Sequence, residues 1–413
     1  MRILLLTLYF APDFAANAVI MSQLTEELAK LGHQVTVVTA MPHYDQGRIW
    51  QGYKGKLVHK EEGESVTVFR TYLFVPSNKR NILGRAVSYV SFHILSTILA
   101  SLSGRPDAIL VPSPPLTIGL CAYIVSRLTK APYVYNVQDV YPDAAVRLGV
   151  LRNPRLIRLF RSVEDFIYRK AAAVSVISED FRSNLASKGV PASKLAVIPN
   201  FVDIDFIRVL PRINPFSARH GLNDDFVVLF AGNIGLSHSV ETLLEAADRL
   251  RDLNRLRILV VGGGAQYAAL VQGAAARGLV NLKFLPFQPT EDVPMMYASA
   301  DASLVLLRKG MSAESTPSRA YTILASGRPL IACVDAGSEV WRIVQEGECG
   351  VCVPPEEPVA LADAVRTLYS NTLLCDRLGV NGRKYVEKHY TREKVGEQYA
   401  QLLARVSQRA PSR

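Results

Sequence analysis

Short apolar runs alternate with amphipathic stretches along nearly the whole chain. The first run is ILLLTLY at residues 3–9; the helix-period stretch VIMSQLTEELAKLG follows and stops at Gly32, and QVTVVTA is the next run. A buried strand, a helix with one apolar face and a second buried strand predict a doubly wound unit around a parallel sheet. SVTVFRTY, DAILVPSPP, PYVYNVQDVYPD, AVSVISE and KLAVIPN continue the strand series, with helices TIGLCAYIVSRLTK and PRLIRLFRSVEDFIYRKA among them. The alternation then restarts. FVVLFAG, RILVVG, LKFLPF, ADASLVLL, RPLIACV and GVCVPP read as strands, and SVETLLEAADRL, AQYAALVQGAAARG, MMYASA and ALADAVRTLYS as helices. Two α/β domains are expected, residues 1–205 and 206–385, with the boundary loop within 205–222. The amphipathic tail inside 386–413 is expected to pack back on the first domain.

One stretch breaks the pattern. AVSYVSFHILSTILASLSG, residues 86–104, has neither lysine nor arginine, and Arg80, Arg85 and Arg105 flank it. Its length approaches a membrane span, but five serines, a threonine and His93 dilute it. It admits a buried core helix, a helix in the membrane interface, or a span. A later helix carries Arg152, Arg155, Arg158 and Arg161 at intervals of three. A solvated face explains that spacing, and so does contact with anionic headgroups, where each cation adds ~1 kcal/mol.

Composition narrows the picture. At 413 residues the chain exceeds one ordinary core, and 49% apolar content excludes disorder. A formal charge of +10 suits anionic lipid or phosphorylated substrates. Nucleic acid is disfavoured, because no basic groove interleaves with aromatics. Five cysteines at Cys121, Cys333, Cys349, Cys352 and Cys375 form no disulfide framework, and Cys349 and Cys352 lack the second pair of a zinc site. The N-terminus lacks a small-residue cleavage signal and reads as the first strand of a cytoplasmic protein.

The candidate chemistry lies where strands turn into helices, the places where open α/β sheets hold phosphates. Gly235 follows FVVLFAGN and lets its amide approach an anion, with His238 just before the next helix. Gly262, Gly263 and Gly264 form a second turn, for which close packing is sufficient cause. The third turn is Glu314, Ser315, Thr316, Pro317, Ser318 and Arg319. Thr316 or Ser318 is placed to cap the helix that follows, with its free amides on a diphosphate and Arg319 neutralising it. Glu314 is placed to accept from sugar hydroxyls. In the first half the candidate acceptor contacts are Asp13 and Asn17 after the first strand, His43, Tyr44 and Asp45 after the second, and Gln138, Tyr141 and Asp143 at a later strand end. Gln138, Asp139, Tyr141 and Asp143 sit at another strand end, where a carboxylate activates an acceptor hydroxyl or caps a helix. HExxH, a Walker lysine and Ser–His–Asp spacing are all missing, so hydrolase and ATPase readings recede. No cofactor or metal is expected.

The ordered segments YFAPD…AN, GHQVTVVT, VIPNFVD, FAGNIGLSHSVETLLEAA, VVGGG, FLPFQPTEDVPMMYASADASLVLL and the stretch from Glu314 to ASGRPLIA resemble the family 4 retaining glycosyltransferases over nearly the whole chain. QD-YPD and the PSR turn are similar to those of colanic-acid and N-acetylfucosamine transferases of bacterial polysaccharide and O-antigen assembly. The resemblance implies an α/β fold of two Rossmann-like domains facing a central cleft, glycosyltransferase B type. It also implies transfer from a UDP- or GDP-sugar to a saccharide on undecaprenyl diphosphate, peripherally on the cytoplasmic face of the inner membrane, beside other assembly enzymes. It assigns Gly235 and the Pro317–Ser318–Arg319 turn to the donor diphosphate, Glu314 to the donor sugar, Phe287 to the base and Glu339 to the site's edge. Asn233, His238 and Thr322 stand where the family often has arginine, lysine and glutamate, so Arg319 or His238 is expected to supply the missing charge, and Thr322, a donor-binding candidate, stands where the family's ribose contact would be. Gln138 stands where a histidine is common, leaving Asp139 as the candidate base. The rival functions are a nucleotide-sugar 2-epimerase and an inactive sugar-binding partner.

Overall fold

The computed structural model describes residues 1–44, 47–76, 82–314 and 316–408, with the backbone alone at 82 and 83. Asp45, Arg80 and Ser315, singled out above, lie outside the described residues. The chain divides into two compact units, Met1–Asn200 with Arg392–Arg413, and Phe201–Thr391.

The first unit is built on eight strands: β1 (Arg2–Leu6), β2 (Gln34–Ala40), β3 (Val58–Glu62), β4 (Val66–Thr71), β5 (Ala108–Pro112), β6 (Tyr133–Val137), β7 (Ala173–Val176) and β8 (Leu195–Val197). Their order is β3-β4-β2-β1-β5-β6-β7-β8. Every neighbouring pair is parallel except β3 with β4. The second sheet runs β11-β10-β9-β12-β13-β14. Its strands are β9 (Phe226–Asn233), β10 (Leu256–Gly263), β11 (Leu282–Leu285), β12 (Ala302–Leu306), β13 (Leu330–Cys333) and β14 (Gly350–Val353). Central strands such as β5, β6 and β12 are buried at every residue, which explains why they read as unbroken apolar runs. In each unit the winding reverses once, between β1 and β5 and between β9 and β12. That reversal opens a crevice at the carboxyl ends of the strands, where ligands of doubly wound sheets bind.

Two glycines of the GGG turn are there for backbone approach. A Cβ on Gly262 would sit 2.1 Å from the Gly232 carbonyl oxygen, and one on Gly264 would sit 2.4 Å from Asn233 Oδ1. Both also have positive φ, +135° and +132°. The turn thus seats β10 against the exit of β9.

The stretch at 86–104 forms most of the helix Ile82–Leu102. Ser88, Phe92, Ser96 and Ala100 are buried against the first unit, while Val87, Val90, Ile94, Ile98 and Leu102 are exposed. It is neither a fully buried core helix nor a free one.

The C-terminal helix Arg392–Gln408 belongs to the first unit. Arg392 pairs with Glu27 at 2.9 Å, and the buried Tyr399 hydroxyl accepts from Asn136 Nδ2 at 2.9 Å. Asn136 also donates to Ser175 Oγ at 3.2 Å. Tyr399→Phe therefore removes one of two acceptors for a buried amide. We expect a loss of about 1 kcal/mol, read as a lower urea midpoint at unchanged slope; an unaltered midpoint would show that the bond is replaced.

Candidate active site

At the reversal point of the second sheet, the loops leaving β9 and β12 are tied together. Arg308 N–H donates to Ser237 O at 2.8 Å, and Arg308 Nε to His238 O at 3.3 Å. Asp335, beyond β13, holds the next stretch by accepting from Gly310 N–H at 2.8 Å and Ser312 N–H at 3.3 Å. This braced loop delivers Glu314, which is 1% exposed. A carboxylate buried there and rigidly backed has the properties of a ligand group rather than of a solvated surface acid.

Arg319 opens the helix Arg319–Ala325. Its Nη2 donates to Asn233 O at 2.9 Å and its guanidinium lies 5.4 Å from the centre of the Phe230 ring. Gly232 runs alongside at φ +111°, a conformation that favours glycine, and a Cβ there would be in ordinary contact with Nη2 at 3.5 Å. Nη1 is buried and has no hydrogen-bond partner among the described residues. Burial works against the charge, but a guanidinium keeps its proton. A half-buried guanidinium with a donor unpartnered among the described residues, at a strand-end crevice, is built to receive an anion.

His238 does not supply a second cation. Burial, helped by the Arg319 charge, pushes its pKa down to about 4. His238 Nδ1 lies 3.1 Å from the Gly235 N–H nitrogen and 3.2 Å from the Gly235 O, accepting from the amide in one tautomer and donating to the carbonyl in the other. Of the two residues expected to supply the charge, Arg319 therefore remains, and the Gly235 backbone packs against the imidazole. Ser318 makes no side-chain cap and is itself helical, and Thr316 Oγ1 is buried without a partner among the described residues. The capping expectation therefore fails at Ser318. Pro317 and Thr322 are partly exposed beside them. Phe287 is 63% exposed and its ring edge lies 3.1 Å from a Cβ position on Gly263, a flat surface open for stacking. Glu339 begins the helix Glu339–Gly347 and accepts from Arg342 at 2.9 Å and from the Tyr390 hydroxyl at 3.3 Å. Arg308 and Lys309 are exposed cations at the exit of β12 that sequence reading passed over. The signal was there: two basic residues directly after a buried strand.

In the first unit, Asp13 is buried and its Oδ1 accepts from the His43 and Tyr44 amides, each at 3.0 Å. It joins the exit of β1 to that of β2. His43 Nδ1 lies 2.8 Å from Met41 O, and its ring stacks on Tyr9 at 5.5 Å. Both amide atoms of Asn17 are buried without partners among the described residues. A cavity of about 250 Å³ is lined by Tyr9, His43, Tyr44, Arg85, Ser88 and Tyr89, among others. At the exit of β6, the Gln138 side chain is engaged on both sides: Nε2 donates to Asn136 Oδ1 at 2.7 Å and Oε1 accepts from Asn200 at 2.8 Å. Desolvation by surrounding protein pushes the Asp139 carboxyl up to about 7, although the side chain stays open to water, which favours the charged form. Tyr141 packs edge-on against Phe160 at 5.5 Å. Asp143 is paired with Lys188 at 2.7 Å and Arg161 at 3.7 Å, a structural use of that carboxylate.

The structure thus brings Gly235, His238 and Arg319 together at the exit of β9 in the second unit and Asp13, His43 and Tyr44 together in the first. Comparison with known proteins follows the same division. Residues 17–200 match the glycosyl transferase 4-like domain, and residues 213–385 match the glycosyl transferases group 1. WcaI of Escherichia coli K12, named for colanic acid biosynthesis, is 29% identical over 97% of this chain and 98% of its own. WbjE of Pseudomonas aeruginosa, named as a glycosyltransferase, is 27% identical over 78% of this chain and 80% of its own. Among solved structures, sucrose-phosphate synthase from Thermosynechococcus elongatus superposes with a TM-score of 0.78 at 20% identity, covering 98% of this chain and 99% of that one. Anabaena HepE, solved with UDP-glucose, gives 0.73 at 19% identity, covering 98% and 100%. The chain is a glycosyltransferase of the B-type fold, related to enzymes of bacterial polysaccharide and O-antigen biosynthesis.

Proposed function

We propose that this enzyme moves a sugar from a nucleoside-diphosphate donor to a saccharide carried on undecaprenyl diphosphate, with retention at the anomeric carbon. The observation that carries the reading is the buried Nη1 of Arg319, without a hydrogen-bond partner among the described residues, at the reversal point of the second sheet, with the buried Glu314 on the loop leaving β12. In this reading Arg319 meets the charge that grows on the departing diphosphate, while Glu314 holds the sugar by its hydroxyls. Donors fixed in advance on a developing oxyanion usually supply the largest part of such catalysis. Phe287 stacks on the base. With His238 neutral, Arg319 carries the work that two further cations often share in the family. Asp13, Asn17, His43 and Tyr44 receive the acceptor, and Asp139, open to water at the exit of β6, is the candidate base. The leaving diphosphate oxygen is an alternative proton acceptor. Relatives named for polysaccharide pathways support the acceptor class.

The test is a screen of UDP- and GDP-sugars with membrane extract, read by the mass of the lipid-linked saccharide and by the anomeric configuration of the new linkage. We expect nucleoside diphosphate release only when lipid-linked acceptor is present. Inversion would refute retention; donor binding without turnover on any acceptor would leave a sugar-binding partner.

A further inference from the structure

We infer that the outward face of the helix Ile82–Leu102 is an insertion surface, seated in the headgroup and upper acyl region of an anionic bilayer. The inference rests on the membrane-bound acceptor proposed above for its purpose, not for its test. Val87, Val90, Ile94, Ile98 and Leu102 are each more than half exposed. Their spacing of three and four residues keeps them on one side of the helix. The adjoining helix Ile118–Thr129 is joined by a 2.7 Å bond from His93 to Thr117 and adds exposed Ile124 and Leu128. Five such residues in one row along a helix are more than scattered surface residues provide.

The helix is inside-out in composition. Two of its serines, Ser88 and Ser96, are buried, and the half-exposed Ser91 and Ser101 are hydrogen-bonded, Ser91 accepting from the Phe74 amide at 2.9 Å and Ser101 donating to Thr97 O at 2.8 Å. Its branched apolar residues face out. Packing on the sheet side rules out a crossing of the bilayer, so only a lengthwise seat remains, as for interfacial helices.

Charge decides between a bilayer and a second copy of this chain. No charged residue lies between Ala86 and Gly104, and exposed Arg105, Arg127 and Lys130 rim the band. The next helix, Pro154–Lys170, meets Ile118–Thr129 through Tyr123 and Phe166 at 5.0 Å. It adds exposed Arg155, Leu156, Arg158 and Leu159. Its one exposed acid, Asp165, is paired with Arg169 at 2.9 Å. Two such basic rims repel each other and attract anionic headgroups. The inner side of the first turn, through Arg85, Ser88 and Tyr89, lines the 250 Å³ cavity beside His43 and Tyr44. A seated helix therefore holds that cavity at headgroup level.

The test is cosedimentation of the full chain with phosphatidylglycerol–phosphatidylethanolamine vesicles at low and high salt. Its variants are Ile94→Gln/Ile98→Gln and Arg155→Gln/Arg158→Gln, with melting curves as a check on folding. We expect the isoleucine pair to lower partitioning about tenfold or more at both salt concentrations, and the arginine pair to lower it chiefly at low salt. Wild type that fails to sediment, or an isoleucine variant that sediments like wild type, overturns the inference. So does a wild-type dimer in light scattering that the isoleucine changes split without affecting vesicle binding. Nucleotide release with a water-soluble acceptor analogue should be unchanged in the isoleucine variant. If vesicle binding follows the pattern but no donor is ever turned over, the surface stands and the transfer proposal falls.

Discussion

An Arg319→Ala enzyme is expected to lose about 10²–10³ in kcat, the usual cost of deleting one fixed donor to a developing oxyanion. The argument is geometric. Nη2 is anchored on Asn233 O and the guanidinium on the Phe230 ring, which leaves Nη1 buried with no protein partner among the described residues. His238 stays neutral above about pH 4 and supplies no substitute charge. Arg319→Lys keeps the charge but loses the planar fork, so it should recover part of the rate. Single-turnover rates at saturating donor separate the effect on chemistry from weakened binding. A kcat within threefold of wild type in the alanine variant would remove Arg319 from the reaction.

Glu314→Ala should be at least as damaging. The carboxylate is 1% exposed on a loop that Asp335 braces from behind. Two hydrogen bonds from sugar hydroxyls to a charged acceptor, each of about 1.5–3 kcal/mol, correspond to a loss of roughly 10²–10⁴ in kcat/KM. Transfer should fall below detection in a routine assay. Glu314→Gln keeps the shape and isolates the charge. Calorimetric titration with nucleoside diphosphate, which lacks the sugar, should be nearly unchanged in both variants. Equal loss of diphosphate and donor binding would mean that Glu314 supports the loop instead.

These expectations rest on positions that sequence made visible to different degrees. The buried strands were plain, because a strand covered on both faces is an unbroken apolar run; QVTVVTA coincides with β2. β3 was missed. Its residues, VHKEE, are polar and alternate in exposure on an antiparallel edge, and charge at an edge protects it from further pairing. Glycine content alone left the GGG turn open between ligand and packing, and coordinates were needed to put the Gly232 carbonyl where a Cβ on Gly262 would go. The role of His238 was illegible for a related reason. Its neutrality comes from burial and from Arg319, 81 positions away in the chain (319 − 238). Gln138 read as an acceptor contact, but its amide is consumed by Asn136 and Asn200. The helix at 86–104 was the hardest, because average hydropathy records neither which side the serines occupy nor which side the isoleucines do.

The terminal helix has a consequence for biosynthesis. Tyr399 and Arg392 complete the first unit, yet the ribosome delivers them only after the 191 residues from 201 to 391 have been made (391 − 200). At translation rates of about 5–20 residues per second, the nascent first sheet waits roughly 10–40 s for its last cover. During that interval Asn136 lacks its tyrosine, and the surface destined for the tail is open to chaperones. Stop codons or fusions that cut the gene before residue 392 will therefore injure the lobe encoded at its beginning.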